Sequence, residues 1–204
     1  MKLRIGIHFG GFLVIFTAIT SCSQHFESIQ TDAELMVVEW ERIGRNIVNL
    51  QSDILTLISQ SGYVVKMLNE NVVVNRQQLD ESAQDDGSNY YVYYHDSLIK
   101  SIFMLHQQIV RLQDSIDYVL KNYNNDRKLF HQFHRKLKTS KYETNSFRKF
   151  NLHFQTRAAR LDKQSQTLRF KIDGIVETYN STLTELVENN PLCFALSGYK
   201  LKLK

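Results

Sequence analysis

Apolar side chains recur in alternating steps of four and three residues along most of this chain. The first series runs from Met36 to Leu68, and its single polar member is Ser61. This spacing is the heptad pattern of a helix that packs along one line of residues, here called the seam. One proline and eight glycines in 204 residues are too few for the frequent turns of a β-rich fold. The pattern therefore predicts an all-α protein of long helices.

Two polar stretches interrupt the heptad pattern. Asp80–Asn89 is rich in turn-forming residues, and Lys138–Ser146 loses apolar residues for about two helical turns. The seams on either side of the second stretch share one heptad phase, so a single helix over 90–188, buried in an obligate oligomer, stays an alternative. We favour an elongated antiparallel bundle of three helices of similar length. The predicted helices cover about 32–79, 90–137 and 147–188.

Asn190-Pro191 predicts the end of the third helix, because proline and the residue before it disfavour helical backbone. The remaining residues, 191–204, end in "SGYKLKLK" and form a basic tail. We expect this tail to be disordered or to touch a membrane surface.

The amino terminus has the order of a secretory signal. Lys2 and Arg4 precede an apolar segment from Ile5 to Ile19, and small or polar residues then lead to Cys22. As a helix, the segment would reach roughly 22 Å, which is short of the roughly 30 Å hydrocarbon core of a bilayer. We therefore favour a secretory signal over a membrane-spanning anchor.

Ile19-Thr20-Ser21-Cys22 resembles the lipobox of bacterial lipoproteins, in which an aliphatic residue and two small residues precede the lipid-modified cysteine. The resemblance covers about a tenth of the chain. It implies a diacylglyceryl thioether on Cys22, removal of residues 1–21, and a tether over 22–31. It places the protein in the bacterial cell envelope, facing the periplasm or the outside. In such lipoproteins, an aspartate directly after the cysteine would favour the inner membrane. Position 23 is a serine, which favours the outer membrane. An uncleaved anchor and an ordinary signal peptide remain alternatives.

Charge is divided unevenly along the chain. Residues 27–126 hold 7 Lys and Arg against 15 Asp and Glu, whereas residues 127–171 hold 13 against 2. The basic tract, interleaved with phenylalanines, could contact an anionic lipid, an anionic glycan or an acidic protein. It could equally be a surface balanced by the acidic first helix. Nucleic acid is not an expected partner of an exported protein. The basic residues that we select as candidate contacts are Arg135, Lys136, Lys138, Arg148 and Lys149.

A tyrosine cluster, "NYYVYYHD", follows the first polar stretch directly. Tyrosine combines a large apolar ring with a polar tip, which suits a recognition surface at the end of a bundle. The same residues could instead close the end of the core. The candidate contacts are Tyr90, Tyr91, Tyr93 and Tyr94.

No motif for catalysis, nucleotide binding or metal binding occurs in the chain. His131 and His134 are one helical turn apart, with His153 further along, but no cysteine or glutamate accompanies them in a metal-site pattern. We therefore expect no cofactor, no metal and no enzymatic activity.

The sequence thus predicts a lipid-anchored scaffold, spacer or protein-binding component of the envelope. The alternative is a periplasmic sensor-like bundle that binds a small ligand in a pocket lined by polar seam residues such as Ser61 and Asp126. A homo-oligomer is compatible with either role.

Overall fold

The computed structural model describes the backbone of residues 8–82, 88–139 and 144–203, and the side chains of 31–70, 97–136, 146, 148–190, 193 and 195–203. Nearly all of the described backbone is helical, and the prediction of an all-α bundle of three long helices is confirmed. The helices are α1 (His8–Ser82), α2 (Ser88–Thr139) and α3 (Thr144–Asn189), and a short 3-10 helix follows at Pro191–Leu196.

The heptad seam forms the core. In α1, every seam position from Met36 to Leu68 is buried, including the polar Ser61. Most of the described seam positions of α2 and α3 are buried as well, and the exceptions, such as Leu112 and Ile175, are half-buried. Burying a large aliphatic side chain stabilises a fold by about 1.5–3 kcal/mol. The repeated seam residues are therefore the main reason why these segments pack together.

The helices contribute to two compact units. The first consists of Met1–Arg42 and Asp126–Ala159, and the second of Ile43–Asn125 and Arg160–Lys204. Each helix thus supplies one stretch to each unit.

The helix directions follow from pairs of contacts within each unit. In the second unit, Gln51 hydrogen-bonds to Asp117, and Ser61, further along α1, contacts His106, which lies earlier in α2. Residue numbers that rise along one helix therefore meet falling numbers on the other. The predicted antiparallel packing of neighbouring helices is present here between α1 and α2.

The directions of α2 and α3 in the first unit follow from two aromatic contacts. Phe133 stacks on Phe150 with ring centroids 4.6 Å apart, while Phe130 meets Phe154 at 5.3 Å. These two contacts show that α2 and α3 are antiparallel in this unit. The break between Thr139 and Thr144 thus separates two helices that pack against each other, and the alternative of one helix over 90–188 is wrong.

The helix ends differ from the predicted ones mainly at the start of α1. The sequence predicts a helix start near residue 32, with Thr31 or Asp32 as its cap. Instead, α1 begins at His8, so the predicted tether over 22–31 is helical. A good capping residue favours a helix end only where the residues before it do not continue the helix, and 24–30 contain neither glycine nor proline. Cleavage before Cys22 stays a prediction.

The carboxyl-terminal segment packs on the second unit, in contrast to the disordered or membrane-contacting tail that we expected. Leu196 and Leu201 are buried. The side-chain amide of Asn180 donates to the carbonyl of Leu201 at 3.0 Å and accepts from its N–H at 2.7 Å. The backbone N–H of Lys202 donates to the side chain of Gln60 at 3.1 Å. Two buried leucines and three hydrogen bonds are enough to fix a short segment that periodicity alone does not reveal.

Candidate functional site

The predicted basic contacts lie where α2 ends and α3 begins. Stacking of Phe133 on Phe150 holds these two helix ends together in the first unit. The side chain of Lys138 is outside the described residues, so four of the five selected cations can be placed. All four are exposed, and they form what we call the basic end: Arg135, Lys136, Arg148 and Lys149.

An aromatic cluster supports the basic end from within. Trp40 of α1 lies 6.0 Å from Phe130 and 6.3 Å from Phe154, measured between ring centroids. Trp40, Phe130 and Phe154 are each no more than 3 % exposed. Sequence reasoning placed each ring on a seam, but it did not identify their meeting as one cluster. The signal was available, because the only tryptophan of the chain and several phenylalanines all occupy heptad positions.

Each of the three histidines near the basic end lies close to a ring of the aromatic cluster. His131 and His134 both lie about 6 Å from the ring of Phe130 and are half-buried, while His153 is exposed beside Phe154. Within the described ranges, no three His, Cys, Asp or Glu side chains are grouped closely enough to hold a metal ion. The arrangement gives these histidines a packing role against the aromatic cluster.

One ion pair neutralises part of the basic tract inside the first unit. Arg157 of α3 pairs with Asp126, the polar seam residue of α2. Asp126 is largely buried, with a side chain 13 % exposed. A buried carboxylate requires such a partner, because transferring an unpaired charge out of water costs several kcal/mol. Asp126 is thus engaged by this chain itself.

A second ion pair joins the acidic helix to the basic one in the second unit. Asp53 of α1 lies 2.7 Å from Nη1 of Arg169 on α3, and the carboxylate side chain is only 5 % exposed. The expectation that acidic residues of the first helix balance the basic tract is therefore met at this pair.

Ser61, the other polar seam residue, is bonded inside the second unit. Its Oγ donates to the carbonyl of Leu57 at 2.6 Å and lies 2.8 Å from Nδ1 of His106. A hydroxyl has one proton, so it accepts from Nδ1–H of His106 when it donates to Leu57. Partial burial lowers the pKa of His106 below its ordinary value of 6.5. Ser61 and Asp126, on which the sensor-like alternative depended, are thus each engaged in separate units.

The predicted tyrosine contacts lie in the first turns of α2. The backbone there is helical, but the side chains of Tyr90, Tyr91, Tyr93 and Tyr94 are outside the described residues. Their role in recognition stays a prediction.

Of the two cysteines, the structure describes the side chain of Cys193 but not that of Cys22. The side chain of Cys22 lies outside the described residues, although its backbone is part of α1. Cys193 is buried as a free thiol, and this burial raises its pKa above the ordinary value of 9.0. Reactivity of a thiol depends on its thiolate form and on access, so Cys193 is a poor nucleophile.

No described part of the helices is both long enough and apolar enough to span a bilayer.

A surface feature that sequence reasoning missed lies on α3 in the second unit. Phe170 is 79 % exposed, although its ring is large and apolar. It stands at the edge of an open groove of about 730 Å³ between α2 and α3, and Gly174 lies one turn further along in the same groove. The heptad pattern could not single out this residue, because Phe170 lies off the seam.

Comparisons with known proteins leave the family open. No protein-family model matches the chain, and neither a curated protein nor a solved structure matches it.

Proposed function

We propose that this protein is a lipid-anchored component of the bacterial cell envelope that acts without catalysis, as a helical scaffold, spacer or protein-binding element. The observation that carries the anchor is the lipobox-like Ile19-Thr20-Ser21-Cys22 behind Lys2 and Arg4. The helical bundle supports the scaffolding role, because its seam residues are used to pack the helices against one another.

The contrast between the two cysteines supports Cys22 as the lipidated residue. Thioether formation requires an accessible sulfur that can attack as a thiolate. Cys193 is buried and its pKa is raised, so it is a poor acceptor. Cys22 follows the small residues at which a signal peptidase would cut, and residues 1–21 would be removed there.

The basic end supplies a surface for an anionic partner. Arg135 and Lys136 on α2 and Arg148 and Lys149 on α3 are exposed on helix ends that the stacking of Phe133 on Phe150 holds together in the first unit. A concentration of one charge sign attracts the opposite charge and speeds association. In the envelope, an acidic protein surface is the partner that suits a scaffold. Anionic lipid headgroups and glycans are the other two ligands of this chemistry.

Mass analysis of the protein purified from membranes tests the anchor. We expect the wild type to start at Cys22 and to carry the mass of its acyl chains. The Cys22→Ala variant should keep residues 1–21 and carry no lipid, whereas the matched Cys193→Ala variant should be processed and lipidated like the wild type. A wild-type protein that still begins at Met1 would remove the lipoprotein proposal.

Charge reversal tests the basic end. The variant with Arg148→Glu and Lys149→Glu should lose binding to an acidic protein partner found by cross-linking in cells. A matched variant with Lys100→Glu and Lys121→Glu makes the same charge change on exposed positions of α2 in the second unit and should keep that binding. Binding of the purified protein to phosphatidylglycerol vesicles or to heparin, lost in the first variant only, would assign the surface to lipid or glycan instead. Equal behaviour of the two variants would exclude the basic end as a specific contact.

A further inference from the structure

The exposed face of α3 in the second unit has a charge order that does not favour the helix itself. Its first half presents Arg160, Lys163 and Lys171, and its second half presents acidic residues up to the helix end at Asn189. The dipole of a helix favours the opposite order, with acids near the start and bases near the end. All of these side chains are exposed; the acidic ones are Glu177, Glu185 and Glu188.

Two further features of the same face are locally unfavourable. Phe170 leaves 79 % of its surface in water. Gly174, one turn away, lies in the middle of a helix, where glycine costs about 1 kcal/mol relative to alanine. A Cβ built on Gly174 would have no atom within 4 Å, so packing inside the chain does not require a glycine there. Local rules that are broken without a compensating contact mark the sites where function is expected.

These features share one geometric property, because they are arranged symmetrically about Gly174. On an α-helix, positions 160, 163, 167, 170, 171, 174, 177, 178, 181, 185 and 188 fall on one face, since each lies three or four residues from its neighbours on that face. If a second copy of this helix runs antiparallel with a two-fold axis at Gly174, positions equally far before and after Gly174 come to the same level. The pairs brought to one level are Arg160 with Glu188, Lys163 with Glu185, and Lys171 with Glu177.

We propose that this face of α3 binds a second copy of this chain, antiparallel, with the two Gly174 residues at the two-fold axis. Each pair of opposite charges then occurs twice, as a self-complementary two-fold interface requires. The missing side chains at Gly174 let the two backbones approach closely, and the two Phe170 rings lie on either side of this crossing and lose their contact with water. The interface follows about 42 Å of helix.

The charge pattern favours a second copy over other occupants. The groove beside Phe170 is flanked by the cations Arg111 and Lys171, so an acidic helix of another protein would be the competing occupant. Such a partner would complement only the first half of the face, because the second half is acidic. A second copy complements both halves. The inference extends the proposed scaffolding role but does not depend on lipid at Cys22.

Cysteine cross-linking tests the position of the axis. In full-length Cys22→Ala protein, purified in a mild detergent, Gly174→Cys should form an intermolecular disulfide on mild oxidation, because the two sulfur atoms meet at the axis. Gly198→Cys is the matched control, since Gly198 is also exposed with nothing within 4 Å of its built Cβ. Equal cross-linking at both positions would reflect random collision and would overturn the proposal.

Charge exchange tests the direction of the helices. Arg160 and Glu188 are about 42 Å apart along one helix, too far to contact each other within a chain. Arg160→Glu and Glu188→Arg should each weaken the dimer about ten-fold, because each creates two like-charge pairs. The double variant should regain most of the wild-type affinity. Failure of this rescue would overturn the antiparallel arrangement.

Sedimentation equilibrium of the same Cys22→Ala protein measures the dimer directly. We expect a dimer that dissociates as salt is raised, since exposed ion pairs are screened. Phe170→Glu should give a monomer with unchanged helical content, whereas Leu152→Glu, an exposed apolar residue on α3 in the first unit, should remain dimeric. A wild-type protein that stays monomeric at tens of micromolar in low salt overturns the proposal, whatever the outcome for lipidation.

Discussion

Gly44 and Tyr123 lie so close together that α1 and α2 leave no room for a side chain between them. A Cβ built on Gly44 would stand 2.1 Å from Oη and 2.5 Å from Cζ of Tyr123. The tyrosine is only 4 % exposed, so its ring cannot swing into solvent to make space. Gly44 is thus required by packing, and its cost to helix propensity is offset by the close approach of the two helices.

Gly44→Ala should therefore destabilise the protein by about 2 kcal/mol, although alanine is the better helix former. Urea unfolding followed by circular dichroism at 222 nm measures the change. The matched control is Gly174→Ala, where no atom lies within 4 Å of the built Cβ. The control should stabilise the protein by up to about 1 kcal/mol in conditions that keep it monomeric. Stabilisation by both substitutions would contradict the close packing at Gly44.

Removing one member of the ion pair between Asp53 and Arg169 should destabilise the protein more than replacing both members. Arg169→Leu leaves the buried carboxylate of Asp53 without its partner 2.7 Å away, and should destabilise the protein by about 2 kcal/mol. Adding Asp53→Leu removes the unpaired charge and should restore most of the stability, because two apolar side chains can replace a buried pair. Chemical denaturation measures the free energy of unfolding of both variants, and the double variant should be the more stable of the two.

The exposed pair of Glu39 and Arg42 provides the control for this prediction. Its side chains are 47 % and 42 % exposed, so solvent screens the attraction. Glu39→Ala should change the free energy of unfolding by less than about 0.5 kcal/mol. A loss as large as that of Arg169→Leu would mean that burial does not decide the strength of these pairs.

The protein should become less stable on mild acidification, because His106 is partly buried. Burial lowers its pKa in the folded protein below the ordinary 6.5. The unfolded chain therefore binds a proton first, and the contribution of neutral His106 to stability is complete above about pH 6.5 and is lost as pH falls toward the folded-state pKa. His106→Asn, which can still donate to Ser61, should flatten this part of the stability profile.

Titration of the His106 ring by NMR measures its pKa directly, and His153→Asn is the control for the stability profile because His153 is exposed. The control variant should keep the wild-type slope between pH 7.5 and 5.5. A His106 that titrates at or above 6.5 would show that burial is not the dominant influence on it.

The hydrogen bonds between Asn180 and Leu201 should keep the carboxyl-terminal segment attached to the helices. Asn180→Asp keeps the acceptor for the N–H of Leu201 but replaces the donor with an oxygen that faces the carbonyl of Leu201. The segment should then detach, at a cost of about 1–3 kcal/mol for the lost bond and the facing oxygens. Hydrogen exchange at the amide of Leu201 should accelerate strongly. Ser181→Ala, at the exposed neighbouring position, should leave this exchange unchanged.

The seam residues explain why so much of the fold could be predicted. A heptad pattern states which residues face inward, and burial of those residues supplies most of the folding free energy. The bounds of α2 and α3 follow the ends of that pattern to within about three residues. The start of α1 does not, since a chain without helix-breaking residues can stay helical beyond the last seam position.

The candidate contacts illustrate a different limit. Arg135 and Lys149 were chosen because their region is basic, and both are exposed. Their region also contains Arg157 and Arg169, which the structure uses in ion pairs with Asp126 and Asp53. Composition does not predict which cations of this tract pair with Asp126 and Asp53, because the pairing depends on which carboxylates the neighbouring helices bring close.

The order of residues along single segments is enough to predict the fold class, the seam and the lipobox-like motif at Cys22. Other properties depend on how the helices pack: Gly44 must be a glycine, Leu201 is buried, Ser61 is bonded to His106, and Phe170 is exposed to water. These properties arise between residues far apart in the chain. Their free energies depend on distances of a few ångströms that local periodicity does not encode.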